Sequence, residues 1–359
     1  MEGIFVREAF RTENDEIRLY FYKDVYNSND ILFLDGSTWR PLLIRSIAPL
    51  ATLLSQCNVE SHLGVAKFIE GTGNRLRLRT KLTKTEYEID VRDVRVRSTT
   101  YKHTLGVCLQ PVYFHADWTL FVQFFEFWLA SGATKIYVYL HSATPNVNNY
   151  IHQYKTIMGD NLEIIEWSDL PVERRHSGQF YADPNTRIFS SGGHGAMNDC
   201  LLRARSHVKF VAILDLDELL HVPSGQKPAE MLNQLASIYP DAGDFAFHWK
   251  YVVERSTVHN VGRPSELKFN SLFKLRAPLP ANVVFDYVRL KKVIHRPERV
   301  TMTDVHNTII NEVRTSAEMS DYDRFNLATS FRPEDVSYLD ERYHEVHVED
   351  TVASVLHLR

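Results

Sequence analysis

Residues 208–220, VKFVAILDLDELL, decide how this chain is read. Val208 to Leu214 is an apolar run broken by a single lysine. Its length suits a strand, and its composition suits one buried on both faces. It stops abruptly at Asp215-Leu216-Asp217-Glu218. In open sheets of parallel strands, ligands settle beyond the carboxyl ends of the strands. Residues two apart on an extended chain face the same way. Asp215 and Asp217 are therefore expected to face one ligand while Leu216 faces the core. Two neighbouring carboxylates repel unless a cation lies close, and oxygen ligands select hard ions such as Mn²⁺ or Mg²⁺. The plainer alternative is a carboxylate pair that caps the next loop or helix.

Outward from this strand, periods of 3.6 and 2 alternate. Trp118, Phe121, Val122, Phe125, Trp128 and Leu129 form one helical stripe, with Asp117 as N-cap and Gly132 as stop. Lys135 to Leu140 and Leu162 to Trp167 read as strands around a helix from Val147 to Met158. Met197, Cys200, Leu201 and Ala204 mark a further helix before Val208, and Lys291 to Ile294 a later strand. This order predicts an α/β domain over 105–359, built on a doubly wound, mostly parallel sheet. Residues 1–104 read as a smaller β-rich domain. Leu76 to Arg79, Tyr87 to Arg92 and Val94 to Arg97 alternate apolar with charged, with a change of phase that suggests a bulge or turn. Between Asn74 and His103 there are nine Lys or Arg against four Asp or Glu. A solvated sheet face explains that excess better than a polyanion patch.

Composition removes several classes. The chain has 359 residues, 44% hydrophobic and 24% charged, and a net charge of -4. It is therefore neither disordered nor basic enough to point to nucleic acid. Its apolar runs fall short of the ~18–20 residues that cross a bilayer, and its first residues, MEGIFVREAF, lack the pattern of a signal peptide. The three cysteines, Cys57, Cys108 and Cys200, form no C-x-x-C pair, and no Asn-x-Ser/Thr sequon occurs. Cys108 and Cys200 read as buried thiols, which suits a reducing compartment.

An apolar strand ending in Asp-x-Asp also opens haloacid dehalogenase-like phosphatases, but there the motif lies on the first strand. Phosphate-loop hydrolases need G-x-x-x-x-G-K-[ST], which is absent. A nucleotide-sugar transferase remains, with the carboxylates holding a metal against the diphosphate. VCLQPVYF (107–114), FFEFWLASGATKIYVYLHS (124–142), LEIIEWSDLP (162–171), NDCLLRAR (198–205), KFVAILDLDELL (209–220), RPERV (296–300) and Val305-His306-Asn307 occur in this order. Together they resemble glycosyltransferase family 92. The resemblance implies a GT-A fold and a metal-dependent inverting transfer of a hexose, galactose in the typical members. The donor would be a UDP-sugar, the cofactor Mn²⁺ or Mg²⁺, and the acceptor a glycan or glycoprotein. It also implies a single-pass type II protein of the Golgi membrane, whereas this sequence shows no anchor, so a truncated or soluble form is expected. A non-catalytic glycan-binding protein on a decayed transferase is the competing reading.

On this basis Asp217 is expected to bind the metal, and Asp215 the metal or the nucleotide ribose. The resemblance offers His306, and in competition His357, as the late histidine ligand. It also places Arg359 in a His-x-Arg ending, near the diphosphate. Arg203 is a candidate phosphate contact because it lies off its helix's apolar stripe. Glu254 is the expected catalytic base, with Glu266 the other candidate. Glu126 is expected in a buried ion pair, 190–195 (SSGGHG) as a loop at a helix N-terminus that could hold an anion, and 344–347 (HEVH) as strand rather than zinc site.

Overall fold

The alternation in the first hundred residues becomes an eight-stranded sheet. The structure, a computed structural model, describes residues 3–13, 15–47, 57–68, 73–179, 181–252, 290–312 and 343–358. The sheet contains β1 (Ile4–Arg11), β2 (Glu16–Asp24), β3 (Ile31–Asp35), β4 (Thr38–Pro41), β5 (Leu43–Ser46), β6 (Val59–Lys67), β7 (Arg75–Thr80) and β8 (Tyr87–Asp93), in the order β4-β3-β7-β8-β1-β2-β6-β5. In β7, Leu76 and Leu78 are buried while Arg75 and Arg77 stand in solvent. Carboxylates answer the basic face: Arg75 pairs with Glu88 and Asp90, Arg77 with Glu86, and Arg92 with Glu8. Val94 to Arg97 alternates but is not strand. Val94 is drawn into the core instead, its N–H donating to the Arg11 carbonyl at 3.0 Å.

The second sheet follows β9 (His103–Val112), α1 (Trp118–Ala130), β10 (Ala133–Leu140), α2 (Pro145–Met158), β11 (Leu162–Glu166), α3 (Gly193–Ala204), β12 (Val208–Leu214), β13 (Glu218–His221), α4 (Pro228–Ile238), β14 (Ala242–Val252), β15 (Lys291–His295), β16 (Val300–Thr303), β17 (Thr308–Asn311), β18 (His344–Val348) and β19 (Ser354–Leu358). The order is β11-β10-β9-β12-β15-β14-β19-β13, with β18 also on β14 and the hairpin β16-β17 apart. β11, β10, β9 and β12 run parallel; β15 enters antiparallel to β12, and β19 lies parallel to β14. The result is a mixed α/β protein whose parallel half matches the expectation.

Alternation on β9 sorts two cores. Leu105, Val107 and Leu109 pack with Phe121, Phe125 and Trp128 of α1, while Cys108 packs with Met197 and Leu201 of α3. Asp117 caps α1 by accepting from the Thr119 N–H at 2.9 Å. Glu126 accepts from the Tyr154 hydroxyl at 2.6 Å, a hydrogen bond where an ion pair was expected.

α3 is buried along its whole length, because it lies between the two sheets. Met197 and Leu201 face the second sheet, and Leu202 joins Phe10, Tyr20 and Leu63 of the first. Its polar groups are all needed there. Arg203 is held by Asp199, Glu8 and Glu163. Just beyond the helix, Arg205 meets Glu13 at 2.9 Å and Glu312 at 3.1 Å, and Glu312 also takes Arg18 from β2. At the other end of α3 the Tyr22 hydroxyl donates to the Gly192 carbonyl at 2.8 Å. A Cβ at Gly192 or Gly195 would collide with that hydroxyl, so the glycine-rich segment serves the approach of the two sheets.

Cys108 of β9 and Cys200 of α3 form a disulfide, with Cα atoms 6.3 Å apart. This corrects the reading of both as free thiols: the strand and helix that carry them face each other across the core, which sequence separation conceals. The bond closes a span of 92 residues, so reduction or Cys200→Ser is expected to cost ~2–5 kcal/mol. Thermal melts with and without reductant check this, and an unchanged midpoint would refute it.

Glu312 gives a pH prediction. Burial works against its charge, but Arg18 and Arg205 overcome that and depress its pKa from 4.5 to about 2. The stabilisation is then complete above about pH 4.5 and lost as pH falls towards 2, on the order of 3 kcal/mol. Glu312→Gln should flatten the stability curve across that interval alone.

Candidate active site at the end of the central strand

β12 delivers its acids to the carboxyl edge of the parallel strands. Asp215 leaves the strand and Leu216-Asp217 form a turn, not an extended segment. Leu216 is buried as expected, while the side chains of Asp215 and Asp217 are 41% and 36% exposed and are held by different partners, Lys292 and His357.

The turn is held from beneath by Glu218, which is 1% exposed. One of its carboxylate oxygens accepts from the Asp215 N–H at 3.0 Å and pairs with Lys292 Nζ at 3.0 Å. The other accepts from Trp249 Nε1–H at 3.0 Å. Burial pushes Glu218 above the usual carboxylate range, and the Lys292 ammonium pulls the other way. Lys292, itself buried, also stands 3.3 Å from Asp215. Charge at the turn is thus shared among two acids and one ammonium.

The C-terminal strand completes the site. β19 lies between β13 and β14, with Glu218 opposite His357 and Trp249 opposite Val355. His357 Nε2 reaches Asp217 Oδ2 at 2.9 Å, and its ring leans on Trp249 with centroids 4.7 Å apart. His306 stands at the same edge of the sheet, its Nδ1 2.8 Å from the Lys291 carbonyl. A carbonyl only accepts, so in the neutral ring Nδ1 carries the proton and Nε2 keeps its lone pair.

Among the described residues no three His, Cys, Asp or Glu side chains gather closely enough to hold a metal ion by themselves. Asp215, Asp217, His306 and His357 therefore do not close into one cage. Asp217 and His357 are the pair brought together. Their oxygen and nitrogen donors are of the kinds that Mn²⁺ accepts, and a cation held there would need further ligands from outside the pair. Residues 344–347 lie in β18, as the alternation predicted, with His347 3.1 Å from Glu345.

Arg203 is elsewhere. It closes α3 just before β12 begins, at the opposite end of a strand about 20 Å long. Its guanidinium is engaged by three carboxylates, so the phosphate role is corrected to one at the junction of the sheets. Glu254, Glu266 and Arg359 lie outside the described residues. Sequence reasoning gave no role to Glu218, Lys292 or Trp249. The fourth letter of DLDE and the paired lysines of KKVIH were visible signals, and Trp249 gave none.

The sequence profile described as "Glycosyltransferase family 92" matches residues 103–350. A curated relative, "Glycosyltransferase family 92 protein ZK381.2" of Caenorhabditis elegans, is 22% identical over 213 residues, which is 59% of this chain and 39% of that protein. The chain thus spans about two-fifths of that relative's length. Among solved structures, S. aureus TarS aligns at TM-score 0.31 and 14% identity over 71% of this chain and 36% of that one. The amylomaltase of Corynebacterium glutamicum aligns at 0.15 and 15%, over 38% and 21%. The match over most of its length makes this a glycosyltransferase-family chain. It belongs to glycosyltransferase family 92.

Burial separates two neighbouring acids by experiment. Glu218→Gln removes a charge from Lys292 and turns one acceptor into a donor, so it should cost ~3 kcal/mol or more of stability. Asp217→Asn, at a part-exposed position, should shift the thermal midpoint little. Calorimetric melts of both decide this, and equal midpoints would refute the assigned difference.

Proposed function

We propose that this chain is the catalytic part of a metal-dependent inverting glycosyltransferase with a GT-A-like fold, moving a hexose from a UDP-sugar to a glycan or glycoprotein. The observation that carries the reading is the pair of reachable carboxylates at the end of β12, with His357 set 2.9 Å from Asp217. Galactose is proposed as the sugar, from the resemblance to the typical members of the family. That membership also removes the phosphatase alternative.

Inverting transfer is one displacement. The acceptor hydroxyl oxygen bonds to the anomeric carbon as the bond from that carbon to the diphosphate breaks. Asp217 and His357 would hold the cation, with Asp215 turned to the ribose or to cation-bound water. The cation, when bound, supplies positive charge for the departing diphosphate. Lys292 fixes the direction of Asp215 and keeps the acid cluster from repelling itself apart. The base that takes the acceptor proton is proposed as Glu254.

The Cys108–Cys200 disulfide favours folding in an oxidising compartment, which supports the Golgi lumen as the place of action. No described helix is long and apolar enough to cross a membrane. The reading as a non-catalytic binding protein draws on Lys292 and His357, which already balance the aspartates within the chain.

Titration calorimetry tests the proposal. UDP should bind with Mn²⁺ and lose that affinity in EDTA. Asp217→Asn and His357→Ala should each weaken Mn²⁺-dependent UDP binding on the order of tenfold or more, and His306→Ala less. Equal UDP affinity with and without the cation would sink the metal reading. Slow UDP-galactose hydrolysis in the wild-type chain separates enzyme from binding protein.

A further inference from the structure

The hairpin of β16 and β17 is tied to the sheet by a chain of side chains that the proposed transfer does not use. It begins at Asp244 of β14, which is 0% exposed. Among the described residues neither of its carboxylate oxygens has a hydrogen bond of good geometry, and the polar side chains that face it are Thr308 and Asn311 of β17. Thr308 Oγ1 stands 3.3 Å from Nδ1 of His295, the residue opposite Asp244 on β15. Nε2 of the same ring stands 3.2 Å from Thr303 Oγ1 of β16. That hydroxyl lies 3.1 Å from the Asp304 carbonyl and 2.9 Å from the Asn307 carbonyl, at the two ends of the turn that carries His306. Inside the turn the Asp304 N–H donates to the Asn307 carbonyl at 2.9 Å. The N–H groups of His306 and Asn307 donate to the Asp304 carboxylate at 2.8 and 2.7 Å.

Counting protons leaves this chain two arrangements. A hydroxyl has one proton to give, a neutral imidazole one N–H, and a carbonyl only accepts. With Asp244 protonated, its O–H serves Thr308, and Thr308 donates to His295 Nδ1. His295 then donates from Nε2 to Thr303, and Thr303 donates to the turn carbonyls. With Asp244 ionised, its oxygen needs the Thr308 proton. His295 must then carry its own proton on Nδ1 to serve Thr308, Thr303 must turn to Nε2, and the turn carbonyls lose their donor. The Asn311 amide holds both a donor and an acceptor and suits either arrangement. His295 stays neutral in both, because burial at 2% exposure depresses its pKa to about 3.

The charges around Asp244 favour the proton. Glu345 of β18 adds a second negative charge, and Lys291 of β15 is already paired with Glu345. Arg296 and Arg299, beyond β15, are turned to Glu298 and to the carbonyls of Pro240 and Ala242. Glu312, beyond β17, is taken by Arg18 and Arg205. Burial first, and Glu345 after it, push the Asp244 carboxyl up from 3.8 to about 7.

We propose that Asp244 is a pH-sensitive latch: protonated, it grips the turn at 304–307 through Thr308, His295 and Thr303, and on losing its proton it reverses the chain and releases the turn carbonyls. The turn carries His306 to the edge of the candidate site, so that edge is firmer in acid than in alkali. The latch belongs to the fold and stands whether or not the chain binds a nucleotide sugar. Its sign follows from the raised carboxyl: the folded state holds this proton more tightly than the unfolded one. The contribution to stability is therefore complete below about pH 4 and lost as pH rises to about 7.

The test uses the full chain between pH 5.5 and 8.5, with nitrogen NMR of the His295 ring and hydrogen exchange of the Asp304, His306 and Asn307 amides. The ring is expected to pass from Nε2–H to Nδ1–H as pH rises, and the protection factors of the turn to fall roughly fivefold to tenfold, the worth of one hydrogen bond. Asp244→Asn donates to Thr308 at every pH. It should keep Nε2–H and full protection throughout, and its melting midpoint should lie above that of the wild type at pH 8 and draw level towards pH 5. Thr308→Val cuts the chain while Asp244 still titrates, so protection of the turn should no longer follow pH. A His295 tautomer that does not move in the wild type overturns the latch. So does an undiminished pH step in Asp244→Asn or in Thr308→Val, since the step would then belong to another group.

Discussion

A single buried carboxylate sets the geometry at the end of β12. Glu218 accepts from a backbone amide, an indole and an ammonium. Each contact orients a different part of the site. The amide fixes the turn that carries Asp215 and Asp217. The indole holds Trp249 against His357, and the ammonium places Lys292 beside Asp215. With almost no solvent around it, an acceptor left unmatched there would be costly. The reachable acids are positioned by one that no ligand can reach.

The same economy of polar groups governs the junction of the two sheets. A helix containing Asn, Asp and Arg is a poor core element by composition, yet α3 is buried throughout. It can be because both sheets bring partners to it. Asn198 donates to the Thr303 carbonyl and accepts from its N–H, at 2.8 and 2.9 Å, and the arginines at the end of α3 are clasped by acids from β1, β11 and the segments after β1 and β17. The strand-rich first part of the chain is thus a layer against the transferase sheet, joined to it by a common core and by buried charge. The disulfide adds a covalent tie on the other side of the same helix.

The site itself is assembled from distant parts of the chain. Asp217 and His357 are 140 residues apart and meet because β19 inserts between β13 and β14. Lys292 arrives on a strand running against β12. Parallel strands bring the motif and the loops after β9 and β10 to one edge, and the antiparallel strands fold later segments back onto it. Family membership accords with this arrangement without depending on any one contact.

The sequence by itself determined the elements whose side chains answer only to their neighbours in the chain. The α1 stripe, the Asp117 cap, the two-faced burial of β12 and the alternation of β7 are local periodicities, and each is present in the structure. It also placed Asp215 and Asp217 at a strand end, since an apolar run followed by acids has few other solutions. Partners were not legible. Arg203 looks free on a helical wheel, but the first sheet covers it. Cys108 and Cys200 look like unrelated thiols, but β9 and α3 face each other. Glu218 and Lys292 look like solvent-facing charges beside apolar residues, but β14 and β19 close over them. Long-range pairing of strands decides which side chains lose water, and only that loss turns a charged residue into a fixed part of a site.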